Sequence, residues 1–398
     1  MPGPLDGIRV IDFTHALAAP FGTMVLADLG AEVINVVKID ERDETRGPGP
    51  FVNGRSTFRF SIERGKKGIQ IDLKRPEGLE LALDLADRSD VLTENFTPGA
   101  LDRLGLGYDA VSKRNPRLIY ASCSGFGHTG PYSNRGGVDV VIQAMSGLLS
   151  ITGEADGRPM RTGASFGDSI AGAHFAMGII TALYERERSG KGQRLDISML
   201  GAMVYHLENA VVRQSVGDTP KRIGPRHPLS TPFQPFETAD GWIVVAGTRD
   251  WPGLCVVIGR EELADDPRFE TNPGRTAHHA ELEPILIEAF RAKTSEEWLR
   301  LLEGICLAAP VYSIAEMIDD PHIKATDTIV QLPVPGPEER SVLVANSPLR
   351  LSRTPPRVDT PGPATGEHTR QVLEELLEML PERIAELEAS GVVRCKED

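Results

Sequence analysis

Apolar and polar positions change rhythm repeatedly over the first 200 residues. Residues 8–13 (IRVIDF) form a short apolar run and predict a strand. Residues 19–29 follow with helical spacing, Pro20 falling in the first turn and Gly30 closing the pattern as a C-cap. The rhythm returns to strand at 33–37, 68–73, 91–96 and 118–123, with a helix over 76–88. Strands alternating with helices predict a parallel α/β sheet covered on both faces.

Longer helical patterns follow at about 138–149 and 168–187. A strand resumes at 242–246, inside a stretch from about 225 to 330 that reads as separate and compact, with helices near 276–292 and 295–303. Residues 353–367 are rich in Pro, Gly and Thr and predict an extended connection into a closing helix over about 367–379. No internal repeat is visible. The expected layout is a large domain over 1–200, a linker over 201–224, a small domain over 225–330, and a return to the large domain over 331–398.

Composition narrows the function. The 398 residues are 40% hydrophobic and 25% charged, as in ordinary globular chains. A net charge of −14 with no concentrated basic face argues against nucleic acid as a partner. The opening MPGPLDGIRVIDF carries neither the basic nor the apolar region of a signal peptide, and no run approaches the apolar length of a membrane span. Cys123, Cys255, Cys306 and Cys395 form no CxxC pair, so neither a disulfide framework nor a zinc site is expected. A reducing, cytoplasmic location is the simplest reading, with no membrane partner.

The chemistry is read by elimination and then by one loop. No GxGxxG follows any strand and no GxxxxGK[ST] occurs, which disfavours a dinucleotide cofactor and a triphosphate loop. No metal-ligand cluster is visible: His278-His279 lacks i, i+4 spacing and reads as surface. Lys66-Lys67, Arg186, Arg188 and Lys191 read as solvated charges, Phe175 and Met177 as core, and His128 as a polar loop residue. The loop is GASFGDSIAG, residues 163–172, which delivers Asp168 directly before a long apolar helix. On local pattern alone Asp168 is either an N-cap or an ionised nucleophile. As an N-cap it would accept a first-turn amide. As a nucleophile it would be kept charged by the helix dipole, with free amides nearby for an oxyanion.

Several ordered motifs resemble those of the family III CoA-transferases, the group of formyl-CoA transferase and carnitine CoA-transferase. They are LDGIRVIDFT at 5–14, Ala19-Pro20, LADLGAEVI at 26–34, Asp72-Leu73-Lys74 with Pro76-Glu77-Gly78, ENFTPGALDRLG at 94–105, NPRLIYAS at 115–122, Gly125-Phe126-Gly127, Gly167-Asp168, GKGQ at 190–193 and GEHT at 366–369. The resemblance spans nearly the whole chain and keeps motif order. It implies a Rossmann-like parallel-sheet domain with an inserted smaller α+β domain, and an interlocked homodimer in which connections near 190–230 and 330–367 wrap the partner. It implies CoA transfer from an acyl-CoA donor to a carboxylic acid acceptor, with no permanently bound cofactor and no metal. Asp168 falls on the family's nucleophile, which passes through an acyl anhydride and an aspartyl-CoA thioester.

CoA contacts carry over by position to His15, Ala16, Leu17 and Ala18 after the first strand, and to Lys38 after the second. They carry over also to Leu73, Lys74, Asn95, Phe96 and Arg103, to Phe126 and Gly127, and to Asp139. Basic residues at strand ends suit the three phosphates of CoA, and Phe96 suits the adenine.

Two departures matter. The tetraglycine loop of formyl-CoA transferases is missing; residues 222–234 read RIGPRHPLSTPFQ, which turns the expectation away from formyl-CoA and oxalate. Arg226 or His227 there could meet an acceptor carboxylate. The related α-methylacyl-CoA racemases use a Gly-His-Asp segment, whereas this chain has Gly137-Val138-Asp139 and so lacks one of the two bases. A non-catalytic CoA-binding subunit is the other alternative; an intact Asp168 argues against it.

Overall fold

The computed structural model describes residues 2–39 and 47–396. The chain divides into two compact units, one of Met1–Leu148, Arg161–Val216 and Lys324–Asp398, the other of Leu149–Met160 and Gly217–Ile323.

The first unit is a mixed α/β body on a parallel sheet. Its strands are β1 (Arg9–Asp12), β2 (Glu32–Val37), β3 (Lys66–Ile71), β4 (Val91–Glu94), β5 (Ile119–Ser124) and β6 (Arg194–Ser198). Their spatial order is β3-β2-β1-β4-β5-β6, with Val393–Arg394 added antiparallel outside β3. The central strands are near-continuous buried apolar runs, such as Val10 and Ile11 in β1, as a sheet covered on both faces requires. One face is covered by α1 (Ala18–Asp28) and the 24-residue α4 (Phe166–Ser189), the other by α2 (Pro76–Asp87) and the closing helices Thr369–Leu377 and Pro381–Ala389. The expected helix over 138–149 is shorter: α3 (Asp139–Met145) ends before Gly147, which adopts a left-handed φ of 93°, and Leu148–Ile151 forms a separate turn.

Helices α1 and α4 cross at unusually short range because glycines meet there. A Cβ on Gly22 would lie 2.6 Å from the Gly172 carbonyl oxygen, and one on Gly172 would lie 2.3 Å from that of Ala18. Backbone therefore packs on backbone at the start of α1. Helix α4 has the length and apolarity of a membrane span, which the sequence reading did not expect. Its Phe175, Ala176, Ile179 and Leu183 are buried in the core under the sheet. Met177, assigned to that core from sequence, instead points outward and is exposed, being two residues from Phe175 on a 3.6-residue repeat.

Two charged positions read as solvated, and one histidine read as surface, are buried. Lys66 pairs with Asp12 at 3.1 Å and Glu63 at 2.7 Å, and Arg186 pairs with Asp90 at 2.9 Å. His279, in the second unit, is buried against Thr231 and Glu283. That unit holds an antiparallel sheet of Phe233–Glu237, Trp242–Thr248 and Cys306–Pro310, with the middle strand central. Helices Trp251–Val257, His279–Phe290 and Ser295–Leu301 close a core of Phe236, Leu254, Phe290 and Trp298.

Candidate functional site

The strand order reverses between β1 and β4: the chain builds outward from β1 to β2 and β3, then returns to β4 on the other side. In such a sheet the crevice beyond the carboxyl ends at the reversal is the natural ligand site. The segments leaving β1, β2 and β4 converge there. Asn95 clasps the first to the third: its Oδ1 accepts the His15 amide at 2.9 Å and its Nδ2 donates to the His15 carbonyl at 2.7 Å. The His15 and Phe96 rings pack with centroids 5.0 Å apart. Beside them lies a cleft of about 570 Å³ lined by Thr14, His15, Ala16, Lys38, Arg59 and Phe96, among others. Ala16 holds a left-handed φ of 66°, a strained conformation for a residue with a Cβ, at the mouth of this cleft.

The floor is anchored by Asp12, fully buried at the end of β1. Its Oδ1 accepts the Thr14 amide at 2.9 Å, the Thr14 hydroxyl at 2.6 Å and the Thr93 hydroxyl at 2.9 Å. Its Oδ2 accepts Thr23 Oγ at 3.0 Å and Lys66 Nζ at 3.1 Å. Burial alone would push this carboxyl up, but the Lys66 ammonium and the Thr14 and Thr93 donors hold it below its ordinary value. The loop from Thr14 to Leu17 is thus tied to a saturated anion.

Asp168 is built in the opposite way. The N-cap of α4 is Ser165, whose side chain caps nothing, and Asp168 is the third helical residue. The N-cap alternative therefore fails: among the described residues the Asp168 carboxylate accepts no hydrogen bond. The amide that the Ser165 side chain leaves uncapped is taken from another helix: Gly167 N–H donates to Asp139 Oδ1 at 2.8 Å. A Cβ on Gly167 would lie 2.9 Å from that oxygen, so a larger residue would push the Asp139 carboxylate back. Gly172, one turn further along α4, is the residue that touches Ala18 in α1, which sets Asp168 on the face toward the start of that helix. Partial burial, then the neighbouring Asp139 charge, push Asp168 up to about 6. The dipole expected to keep it ionised does not dominate, yet above pH 6 the carboxylate is charged and unclaimed.

The remaining expected contacts are more scattered. Leu17 begins α1 without a side-chain cap, and Ala18 is buried. Leu73 and Lys74 follow β3, where the Lys74 amide donates to Asp72 Oδ1 at 3.0 Å, and Arg103 sits in the short helix Ala100–Leu104 after β4; none of the three lines the cleft. Phe126 packs on the core beside Tyr132 and the Arg135 guanidinium, and the Gly127 amide donates to Ser124 Oγ at 3.1 Å. His128 is more than a surface residue: its amide donates to Asp196 at 2.8 Å, its Nδ1 meets Arg194, and its Nε2 lies 3.5 Å from Glu94. Burial holds its imidazole below the ordinary value.

Sequence reading missed two parts of this arrangement. One is the Asp12–Lys66 pair, which no local pattern signals. The other is Gln143, whose Nε2 donates to Asp139 Oδ2 at 2.8 Å and whose Oε1 accepts from Thr162. The Asp139–Gln143 spacing of i, i+4 on a helix was an available signal.

Comparison with known proteins fits this geometry. The model of CoA-transferase family III matches residues 5–369. The chain is 37% identical to succinyl-CoA:glutarate CoA-transferase of Mus musculus, over 99% of this chain and 91% of that protein. It is 39% identical to acetyl-CoA:oxalate CoA-transferase of Acetobacter aceti, over 88% of this chain and 90% of that protein. Among solved structures, a CAIB/BAIF family protein from Brucella suis superposes with a TM-score of 0.85 at 36% identity, covering 94% of this chain and all of that one. A chain that keeps a reversed parallel sheet, an unclaimed helix-start carboxylate and this degree of likeness end to end belongs to CoA-transferase family III.

Proposed function

We propose that this CoA-transferase moves CoA from an acyl-CoA donor to a dicarboxylic acid through covalent intermediates on Asp168. The observation that carries the reading is the Asp168 carboxylate itself, charged above about pH 6 and without a hydrogen-bond donor among the described residues. An Asp168 oxygen attacks the thioester carbonyl, the C–S bond breaks, and an acyl–aspartyl anhydride and CoA thiolate form. The thiolate then attacks the aspartyl carbonyl, which gives the aspartyl-CoA thioester and releases the donor acid. The acceptor carboxylate attacks that thioester, and the freed thiolate attacks the new acyl group of the second anhydride, restoring Asp168. Thioester energy is conserved in each covalent stage instead of being lost to water.

CoA is assigned to the crevice. Lys38, with Lys74 and Arg103 at neighbouring strand ends, offers charge to its phosphates. Phe96 offers a face to the adenine, and His15, Ala16, Leu17 and Ala18 flank the pantetheine. Leu73, Asn95, Phe126 and Gly127 complete the proposed contacts; Asp139, whose two oxygens are held by the Gly167 amide and Gln143 Nε2, is assigned to the start of α4 instead. The names of two relatives (succinyl-CoA with glutarate, succinyl-CoA with mesaconate) favour succinyl-CoA as donor and a dicarboxylate as acceptor; the acetyl-CoA:oxalate relative agrees on the dicarboxylate, differs in the donor, and keeps oxalate among the acceptors to be tried. The second unit is read as the inserted small domain, and the assembly as an interlocked homodimer in the cytoplasm. Exposed Met177, Tyr184, Tyr205 and Val212 on the first unit's helices give a second copy apolar surface to cover. The four free thiols fit a reducing compartment. Racemisation is disfavoured because Val138, 61% exposed, stands where that chemistry needs a base.

The test is mass spectrometry after brief incubation with succinyl-CoA and hydroxylamine. A hydroxamate on Asp168 in the wild-type protein, and none in Asp168→Ala, is expected. Full CoA transfer by Asp168→Ala, or an adduct on another residue, would overturn the assignment.

A further inference from the structure

Helix α3 and the loop before Asp168 are joined by a polar chain that CoA transfer as described does not use. Gln143, 0% exposed, spends both ends of its amide. Its Oε1 accepts the Thr162 amide at 3.1 Å and the Thr162 hydroxyl at 3.3 Å, and its Nε2 donates to Asp139 Oδ2 at 2.8 Å. The other oxygen of Asp139 takes the Gly167 amide at 2.8 Å. The loop 162–167 is therefore pinned to α3 at both ends, and Asp168 is the next residue. The amide orientation of Gln143 is dictated by its partners, since a flip would set NH₂ against the Thr162 N–H and oxygen against a carboxylate.

An α-helix begins with amides that lack intrahelical partners, and a nearby side chain ordinarily takes one. Here Ser165 takes none, and the capping carboxylate comes from a different helix. Asp139 thus does the capping that the Ser165 side chain would otherwise do. We propose that Gln143 is a positioning residue: by orienting Asp139 on the Gly167 amide and bracing Thr162, it keeps the Asp168 carboxylate free and aimed at the acyl group. This rests on the reading that Asp168 is the nucleophile. The proximity of Asp139 to Asp168, which raises the latter, is a second consequence of the same chain.

The chain has a donor–acceptor polarity that can be reversed, which makes the proposal testable by a double-mutant cycle. Asp139→Asn sets an NH₂ against the Gln143 NH₂. Gln143→Glu sets a carboxylate against Asp139. Together the two substitutions restore every bond with only the central one reversed: the new amide at position 139 would donate to the new carboxylate at position 143, while the Gly167 and Thr162 amides donate as before. Each single variant is expected to lower kcat about 10–100-fold with KM for acyl-CoA within about two-fold, because misplacing a reacting group costs turnover more than binding. The double variant is expected to return to within about five-fold of wild type, since the coupling lies in the pair. Thr162→Val, which removes one hydroxyl from the loop and spares the core, is expected to lower kcat about two- to five-fold for the same reason. Should a single variant fail to fold, Thr162→Val and the double variant carry the test. Singles within two-fold of wild type, a double no better than the worse single, or a Thr162→Val effect on KM alone would overturn it. The Asp168 carboxyl titration, followed by ¹³C NMR, separates this from failure of the transferase reading. A midpoint that falls in Asp139→Asn while Asp168→Asn keeps full CoA transfer would sustain the linkage and reject the nucleophile.

Discussion

Asp12 and Asp168 are the same residue type in one body, and the fold treats them in opposite ways. Asp12 is buried at the end of a central strand and surrounded by donors: Lys66, two threonine hydroxyls on one oxygen and a third on the other. Its carboxyl is held low. Asp168 is half-buried, faces another carboxylate and has been relieved of the helix-start amide beside it. Its carboxyl is pushed up to about 6. A saturated carboxylate is a structural anchor, whereas an unsaturated one retains lone pairs for chemistry. What separates them is where the nearest donors are spent.

The contrast breaks most visibly under substitution. Asp168→Asn is expected to lower CoA transfer by about 10³-fold or more, as loss of a covalent nucleophile does, with no loss of melting temperature at neutral pH. Asp12→Ala is expected to cost on the order of 3–5 kcal/mol, because it takes one of two carboxylates from the buried Lys66 ammonium and the shared acceptor from the Thr14, Thr23 and Thr93 hydroxyls; chemical denaturation measures it. The pH dependence should split the pair by sign. Asp168, raised in the folded state, contributes stability that is present below its unfolded value near 4 and lost as pH rises through about 6. Asp12, lowered, contributes stability present above that unfolded value and lost as pH falls through its folded one. Stability curves of the two substituted proteins against wild type from pH 3 to 7 should therefore diverge in opposite directions, and kcat/KM should fall about tenfold per unit below pH 6.

Smaller effects sharpen the geometry. Gly172→Ala places a Cβ 2.3 Å from the Ala18 carbonyl oxygen and must separate α1 from α4. A cost of about 1–3 kcal/mol is expected by thermal denaturation, with a larger proportional loss in kcat than in acyl-CoA affinity as Asp168 shifts. Ala16→Gly relieves the left-handed φ of 66° and should stabilise by up to about 1 kcal/mol at little change in turnover.

Much of the sheet was legible because buried parallel strands are written as local apolar runs. The strands at 8–13, 33–37 and 91–96 and the helix at 76–88 were found within a few residues of their ends. What escaped depends on partners distant in sequence. Lys66 looks solvated beside Lys67, since Asp12, the partner that draws it into the core, lies 54 positions away; Glu63, three positions away, reads as one more surface charge. Arg186 and His279 hide their partners in the same way. The segment Leu149–Met160, which clusters with the second unit, has no signature of its own. Asp168 was singled out by its small-residue loop, but only resemblance to a family weighed nucleophile over cap. It is not a cap because the helix starts two residues earlier, and the group that caps that start, Asp139 on the Gly167 amide, lies 28 positions away and cannot be read from either segment alone.

The most direct test of the contrast is a ¹³C NMR titration of the aspartate carboxyls in the wild-type protein, assigned with Asp168→Asn and Asp139→Asn. The expected result is a resonance with a midpoint near pH 6 that is absent from Asp168→Asn and moves down in Asp139→Asn. An Asp168 midpoint at or below the ordinary aspartate value near 4 would show its carboxylate already claimed by donors, and would contradict the account.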